Sequence, residues 1–242
     1  FVVMFVMMVG VFRSKKEENV LKGIRLFEPF SKEELGNICK IGGPTAIQGM
    51  VYCMISMVLT RMVAAFGAEA IATQRVGGQI ESVSWNTADG FAAALNAFVG
   101  QNYGAKKMNR VQKGYRISFW TVAIWGALIM LAFIIFPGPI AGVFFHEEKA
   151  MEIAISYLII IGFSEAFMCV ELMTIGALSG LGKTKLCSVI SITATSMRIP
   201  LAMVLSRTSL GLDGIWWALT LTSVAKGIIF YLTFRYQMRE KC

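Results

Sequence analysis

Apolar residues in this chain run in long, nearly unbroken blocks. Six of them, at about 41–66, 70–100, 117–136, 153–178, 186–205 and 214–234, are long enough to cross a bilayer as helix, which takes about 20 residues. The ten-residue alternation of a membrane barrel is absent. Residues 1–12 form a further apolar run closed by Arg13. As helix it would rise only about 18 Å, short of a hydrocarbon core of about 30 Å. Its basic residues follow it and no initiating Met precedes it, so it does not read as a signal peptide. It reads as the end of a spanning helix that begins upstream. Glycine and proline cluster at block edges (Gly42-Gly43-Pro44, Pro137-Gly138-Pro139, Gly180-Leu181-Gly182), which predicts helix boundaries there. The expected fold is an all-α membrane protein. It comprises the end of a transmembrane helix at 1–12, a cytoplasmic amphipathic linker at 13–40 and a six-helix transmembrane bundle at 41–237.

Composition sharpens this. Of the 242 residues, 56% are apolar and 16% charged, whereas soluble domains carry about 25% charged residues. A soluble enzyme, a disordered tail and a nucleic-acid-binding domain all become poor readings. The net charge of +8 is distributed unevenly. Arg13, Lys15, Lys16, Lys22, Arg25, Lys32 and Lys40 precede the first full span. Lys106, Lys107, Arg110, Lys113 and Arg116 follow the second, Lys183 and Lys185 follow the fourth, and Arg235, Arg239 and Lys241 lie at the C-terminus. The alternate loops hold only Lys149 and Arg207, so the split is seventeen against two. That bias places the C-terminus and the 13–40 segment in the cytoplasm. The segment's Leu21, Ile24, Leu26, Phe27, Phe30 and Leu35, set among charges, suit a helix lying on the membrane surface.

The remaining charges fall inside the spans: Arg61, Arg75, Arg198 and Lys226, with Glu81, Asp89, Glu165 and Glu171. Each costs at least about 2.5–3.5 kcal/mol at a bilayer centre, so they should face an interior or a cavity rather than lipid. At about 1.5 Å per residue, Glu81, Asp89, Glu165, Glu171, Arg198 and Lys226 lie within roughly 10 Å of the midplane. Arg61 and Arg75 sit nearer the outer ends, as an outer vestibule would require. Glu81, Trp85 and Asp89 repeat every fourth residue and form one stripe. Glu165 and Glu171 diverge by about 120° around their helix and should not share a site. A mid-depth polar cavity with Arg198 and Lys226 as counter-charges follows. Four acids against two bases favour a cationic passenger or a carboxyl kept protonated by burial. Gln48, Gln74, Gln79, Asn86 and Asn96 could add neutral hydrogen bonds. The alternative is a set of buried ion pairs that only fix packing.

Other motifs carry little. Five cysteines, four of them (39, 53, 169 and 187) in or beside apolar stretches, read as small buried hydrophobes. With His146 the only histidine, neither a zinc site nor a disulfide framework is indicated. Gly180-Leu181-Gly182-Lys183-Thr184 has Ala177 where a phosphate-binding loop needs glycine and follows an apolar helix, not a strand; it reads as a helix stop. Gly176-x-x-x-Gly180 permits close helix approach. The 15 methionines read as lipid-facing or core filler. No nucleophile–base or metal set supports an enzyme.

Gly42-Gly43-Pro44-Thr45-Ala46-Ile47-Gln48 begins the first full span, and Gly67-Ala68-Glu69-Ala70-Ile71-Ala72 opens the second. Val99-Gly100-Gln101-Asn102-Tyr103-Gly104-Ala105 closes the second, and Gly176-Ala177-Leu178-Ser179-Gly180-Leu181-Gly182-Lys183-Thr184 ends the fourth. Together these resemble the C-terminal half of the multidrug and toxic compound extrusion (MATE) transporters, from the end of the sixth family helix through the twelfth. The resemblance implies one of two pseudo-symmetric six-helix bundles in the plasma membrane. Alternating access at a cleft between the bundles would exchange organic cations or drugs for Na⁺ or H⁺, without any other cofactor. Its partners would be the lipid bilayer, small organic cations and the N-terminal bundle, with no nucleic acid. Glu81, Asp89, Glu171, Glu165 and Gln48 would be the ion- or substrate-binding residues. Two departures from the family pattern stand out. Some members carry an acid on the seventh helix, and none lies within 41–66 here. Some have Asp where this chain has Met168, with Glu171 close to one turn further on. The alternatives are a flippase for lipid-linked precursors, which would want more cationic residues in the cleft, and a half-size protein acting as a homodimer.

Overall fold

A computed structural model describes residues 31–239. The predicted helix end at 1–12 and most of the 13–40 linker lie outside the described residues. Contacts divide the chain between Cys39 and Lys40, into a unit Phe1–Cys39 and a unit Lys40–Cys242. Among the described residues every element is helical: α1 (Lys32–Ala64), α2 (Ala68–Gly104), α3 (Met108–Ile135), α4 (Pro137–Gly142), α5 (Glu148–Gly162), α6 (Glu165–Gly180), α7 (Thr184–Ser196), α8 (Arg198–Leu205) and α9 (Leu212–Arg239).

Four segments are long and apolar enough to cross a membrane: Gly42–Ala64, Met108–Ile135, Thr184–Leu205 and Leu212–Arg239. The pair α5–α6 makes a fifth, bent by 50°. Helix α2, with 37 residues, has the length but is diluted by Gln74, Arg75, Gln79, Glu81, Asn86, Asp89 and Asn96. On α3, Ile117, Trp120, Ile124, Leu128, Leu131 and Ile135 are all exposed. Spaced three or four apart, they form one apolar stripe suited to lipid.

Four expectations about boundaries and burial are corrected. Pro44, expected at a helix start, lies inside α1, which begins at Lys32. A proline interrupts one backbone bond of the ladder, which membrane helices tolerate when nearby groups re-satisfy it. The fourth block is two helices: Gly162 and Ser164 flank the bend, a combination that kinks helices. The Ser164 N–H bonds the Ile161 carbonyl, and Thr220 of α9 donates its hydroxyl to the Ile160 carbonyl at 2.8 Å, so the break leaves that carbonyl satisfied. The fifth block breaks at Met197, just ahead of Pro200. Finally, Cys169 and Cys187 are buried but Cys39 and Cys53 are exposed, because α1 turns much of its surface outward.

Helix α6 is the axis of the bundle, packing against α2, α3, α7 and α9. Glycine makes three of those approaches possible. A Cβ at Gly180 would come within 2.6 Å of the Asn96 carbonyl oxygen on α2, and one at Gly176 would strike Ala92. A Cβ at Gly126 of α3 would lie 2.7 Å from the Ala166 Cα, and one at Gly227 of α9 would lie 2.6 Å from the Phe167 carbonyl oxygen. The small-xxx-small spacing is therefore a backbone contact between α6 and α2. Helix α6 stops where expected. Gly182, at φ +75°, closes a turn in which the Lys183 N–H bonds Leu178 and the Gly182 N–H bonds Ser179, the left-handed glycine stop. At the opposite end of the bundle, Lys149 lies 3.6 Å from Glu69. The Glu69 backbone N–H foremost, and Lys149 next, hold that carboxyl below its ordinary pKa; the pair is exposed and contributes little to stability.

Candidate functional site

One open cavity of about 980 Å³ is lined by α1, α2, α5, α6, α7, α8 and α9. Its polar wall takes Gln48 from α1, Gln74, Arg75, Gln79 and Glu81 from α2, and Tyr157 from α5. Glu171 of α6, Arg198 of α8 and Lys226 of α9 complete it. Four of the six charges expected near mid-depth thus line one cavity. Their helices are spaced far apart in sequence, and only the packing around α6 brings them together.

The bonding is asymmetric. Lys226 Nζ donates to Glu171 Oε1 at 2.7 Å, with the two side chains 8% and 6% exposed, respectively. Glu171 Oε2 meets no partner. Arg198 is held by hydroxyls: Nε donates to Thr222 Oγ1 at 3.0 Å and Nη2 to Ser223 Oγ at 2.9 Å. Glu81 accepts a hydrogen bond from the Tyr157 hydroxyl. Glu81, Glu171, Arg198 and Lys226 thus line one cavity, each held by a bond of its own.

Tyr157 is placed by its surroundings. Its ring meets Trp216 edge-on, with centroids 5.0 Å apart, and lies against Gly77, one turn before Glu81 on α2. A Cβ there would fall 2.6 Å from the ring's Cδ1. The ring is packed between Gly77 and Trp216, so an added methyl group must displace it. Gly77→Ala is therefore expected to push the ring off Glu81 and loosen the α2–α5 contact. The readout is a shift of the tyrosine hydroxyl signal, or of any Glu81-dependent transport profile, in Gly77→Ala but not in Gly78→Ala, whose added Cβ would meet nothing within 4 Å.

The other predicted site residues fall elsewhere. The stripe of Glu81, Trp85 and Asp89 exists, but the cavity ends at Trp85, and Asp89, about 6 Å further along the axis, is exposed. Glu165 is fully buried as the first residue of α6 and does not line the cavity. Neither of its oxygens reaches hydrogen-bond geometry. Its separation from Glu171 agrees with their angular divergence. Arg75 is exposed at the cavity's edge, whereas Arg61 is exposed and away from it. Gln48, Gln74 and Gln79 line the wall; Asn86 and Asn96 do not. The expected excess of acids is not kept at this wall, where Glu81 and Glu171 face Arg75, Arg198 and Lys226. Two of the four mid-span acids rotate or climb out of reach. Sequence reading missed Tyr157, Thr222 and Ser223, because a lone tyrosine and paired hydroxyls in apolar blocks are also ordinary packing residues.

Relatives agree with this architecture. The MatE family profile matches residues 44–204. The chain is 28% identical over 211 residues to the probable multidrug resistance protein NorM of Thermotoga maritima, covering 84% of this chain and 45% of that protein. It is 22% identical to the multidrug export protein MepA of Staphylococcus aureus, covering 92% and 49%. It superposes on a crystal structure of MATE in the straight conformation with a TM-score of 0.87 at 20% identity, covering 99% and 54%. The chain spans about half the length of the curated relatives it matches. With the profile spanning residues 44–204, most of the bundle, this chain belongs to the MATE family of transporters.

Proposed function

We propose that this chain forms one bundle of a secondary antiporter that exports organic cations and drugs by alternating access, driven by Na⁺ or H⁺. The observation that carries this reading is the Glu171–Lys226 pair in the cavity wall, with the second Glu171 oxygen unpartnered. A transporter site needs a group whose charge balance changes with its load, placed near mid-membrane between packed helices. A proton or sodium ion arriving at Glu171 weakens its hold on Lys226. A departing organic cation competes for the same carboxylate. Glu81, which accepts a hydrogen bond from Tyr157 in the same cavity wall, is the second carboxylate. The bases act as internal counter-ions that keep the unloaded cavity near neutral, which lowers the cost of burying it.

In the complete transporter, Glu171→Gln is expected to abolish efflux of a cationic dye at unchanged membrane abundance. Wild-type efflux from that variant would remove Glu171 from the mechanism. The basic-residue bias further supports a plasma-membrane topology with a cytoplasmic C-terminus. A cysteine introduced at Lys106 should then label with an impermeant thiol reagent only after the cells are opened, in a background whose native exposed cysteines are replaced.

A further inference from the structure

A second cavity, of about 410 Å³, lies between α3 and α9, away from the charged cavity, and no step of the transport reading uses it. Its construction is specific. Tyr115 of α3 stacks on Phe234 of α9 with ring centroids 3.7 Å apart, and Phe119 meets Tyr231 at 5.1 Å. These rings hold the two helices together along the groove floor. Tyr115 is fixed from behind by a 2.9 Å hydrogen bond between its hydroxyl and Thr174 of α6. Trp120, 62% exposed, forms one outer wall. Above the rings stand three exposed guanidinium groups, Arg116, Arg235 and Arg239. Arg235 sits 5.8 Å from the centroid of the Tyr231 ring, within cation–π range. Among the described residues lining the groove none is acidic.

We infer that this groove is a binding site for an anionic phospholipid, with the phosphodiester held by the three arginines and an acyl chain laid along the ring floor. The placement is what such a ligand requires. Arg116 is near the start of α3, and Arg235 and Arg239 are in the last turns of α9, so all three stand at one end of their spans. By the basic-residue bias used in the proposed topology, that end faces the cytoplasm. An apolar floor continuous with the lipid-facing stripe at Ile117 and Trp120 suits a chain that stays in the bilayer. A small soluble anion has no use for that floor. Planar guanidinium groups match phosphate oxygens in pairs, and basic pockets between helices at the cytoplasmic surface recognise anionic headgroups. This inference does not depend on which ion drives transport; it rests on the proposed topology only for the leaflet.

The test is retention of lipid by the complete transporter, purified in mild detergent and measured by native mass spectrometry. Phosphatidylglycerol, phosphatidylcholine and inorganic phosphate are supplied separately. Wild-type protein is expected to retain phosphatidylglycerol at least about fivefold over phosphatidylcholine. Arg116→Gln/Arg235→Gln/Arg239→Gln should reduce the ratio to near one, whereas Lys106→Gln/Lys107→Gln/Lys113→Gln, which removes the same charge from the same side outside the groove, should leave it unchanged. Trp120→Ala, which removes no charge, should weaken phosphatidylglycerol retention without affecting phosphate. Should the triple arginine variant fail to fold, each single Arg→Gln variant is expected to lower the ratio by itself. Equal retention of the two lipids by wild-type protein, an equal loss in the lysine control, unchanged ratios in all arginine variants, or phosphate displacing the lipid at millimolar concentration would each overturn the assignment.

Discussion

Lys226→Met is expected to destabilise the folded transporter by about 3–5 kcal/mol, the usual cost of removing one partner of a buried ion pair. The loss comes from what is left behind. Glu171, 5% exposed on a helix packed on four sides, would keep a carboxylate with no cation beside it and one oxygen already unpartnered. Methionine fills nearly the same volume, so packing contributes little to the effect. The double variant Glu171→Gln/Lys226→Met removes both charges and should recover most of the stability. It should not recover efflux if Glu171 is, as proposed, the group that responds to the coupling ion. Thermal unfolding in detergent reads the first effect and dye efflux the second. A single variant as stable as wild type would mean that the Glu171–Lys226 pair does not hold the bundle together.

Gly176→Ala is expected to have the next largest effect, and it acts on the backbone rather than on charge. Its added Cβ would meet the Ala92 carbonyl group on α2, which no rotamer change can move aside. Overpacking commonly costs about 1–3 kcal/mol and occasionally more. The control is Gly90→Ala on the same α2 helix, where the added Cβ meets nothing within 4 Å. There the alanine should stabilise the helix by about 0.5–1 kcal/mol. Opposite signs for the same substitution at two helical glycines would establish that α6 and α2 are held at a distance only glycine allows. Because α6 carries Glu171, a forced separation should also degrade transport before it abolishes folding.

The amino-acid sequence by itself determined the class of fold, the position of most spans and which residues bear charge within the apolar blocks. Each of these is a local property. An apolar block of sufficient length favours lipid whatever surrounds it, and a charge within such a block is costly whatever it finally meets. The family followed from short glycine-centred stretches, several of which prove to be contact or stop positions: Gly176 and Gly180 against α2, Gly182 at the end of α6. What only the tertiary structure decided was which charges share a cavity. Glu171 pairs with Lys226 fifty-five residues away, while Asp89, on the same stripe as Glu81, lies one turn beyond the cavity. That outcome depends on helix rotation, on the 50° bend between α5 and α6 and on rings such as Tyr157 wedged over Gly77. Each of these turns on ångström-scale packing between segments distant in the chain, which hydropathy along one segment does not encode.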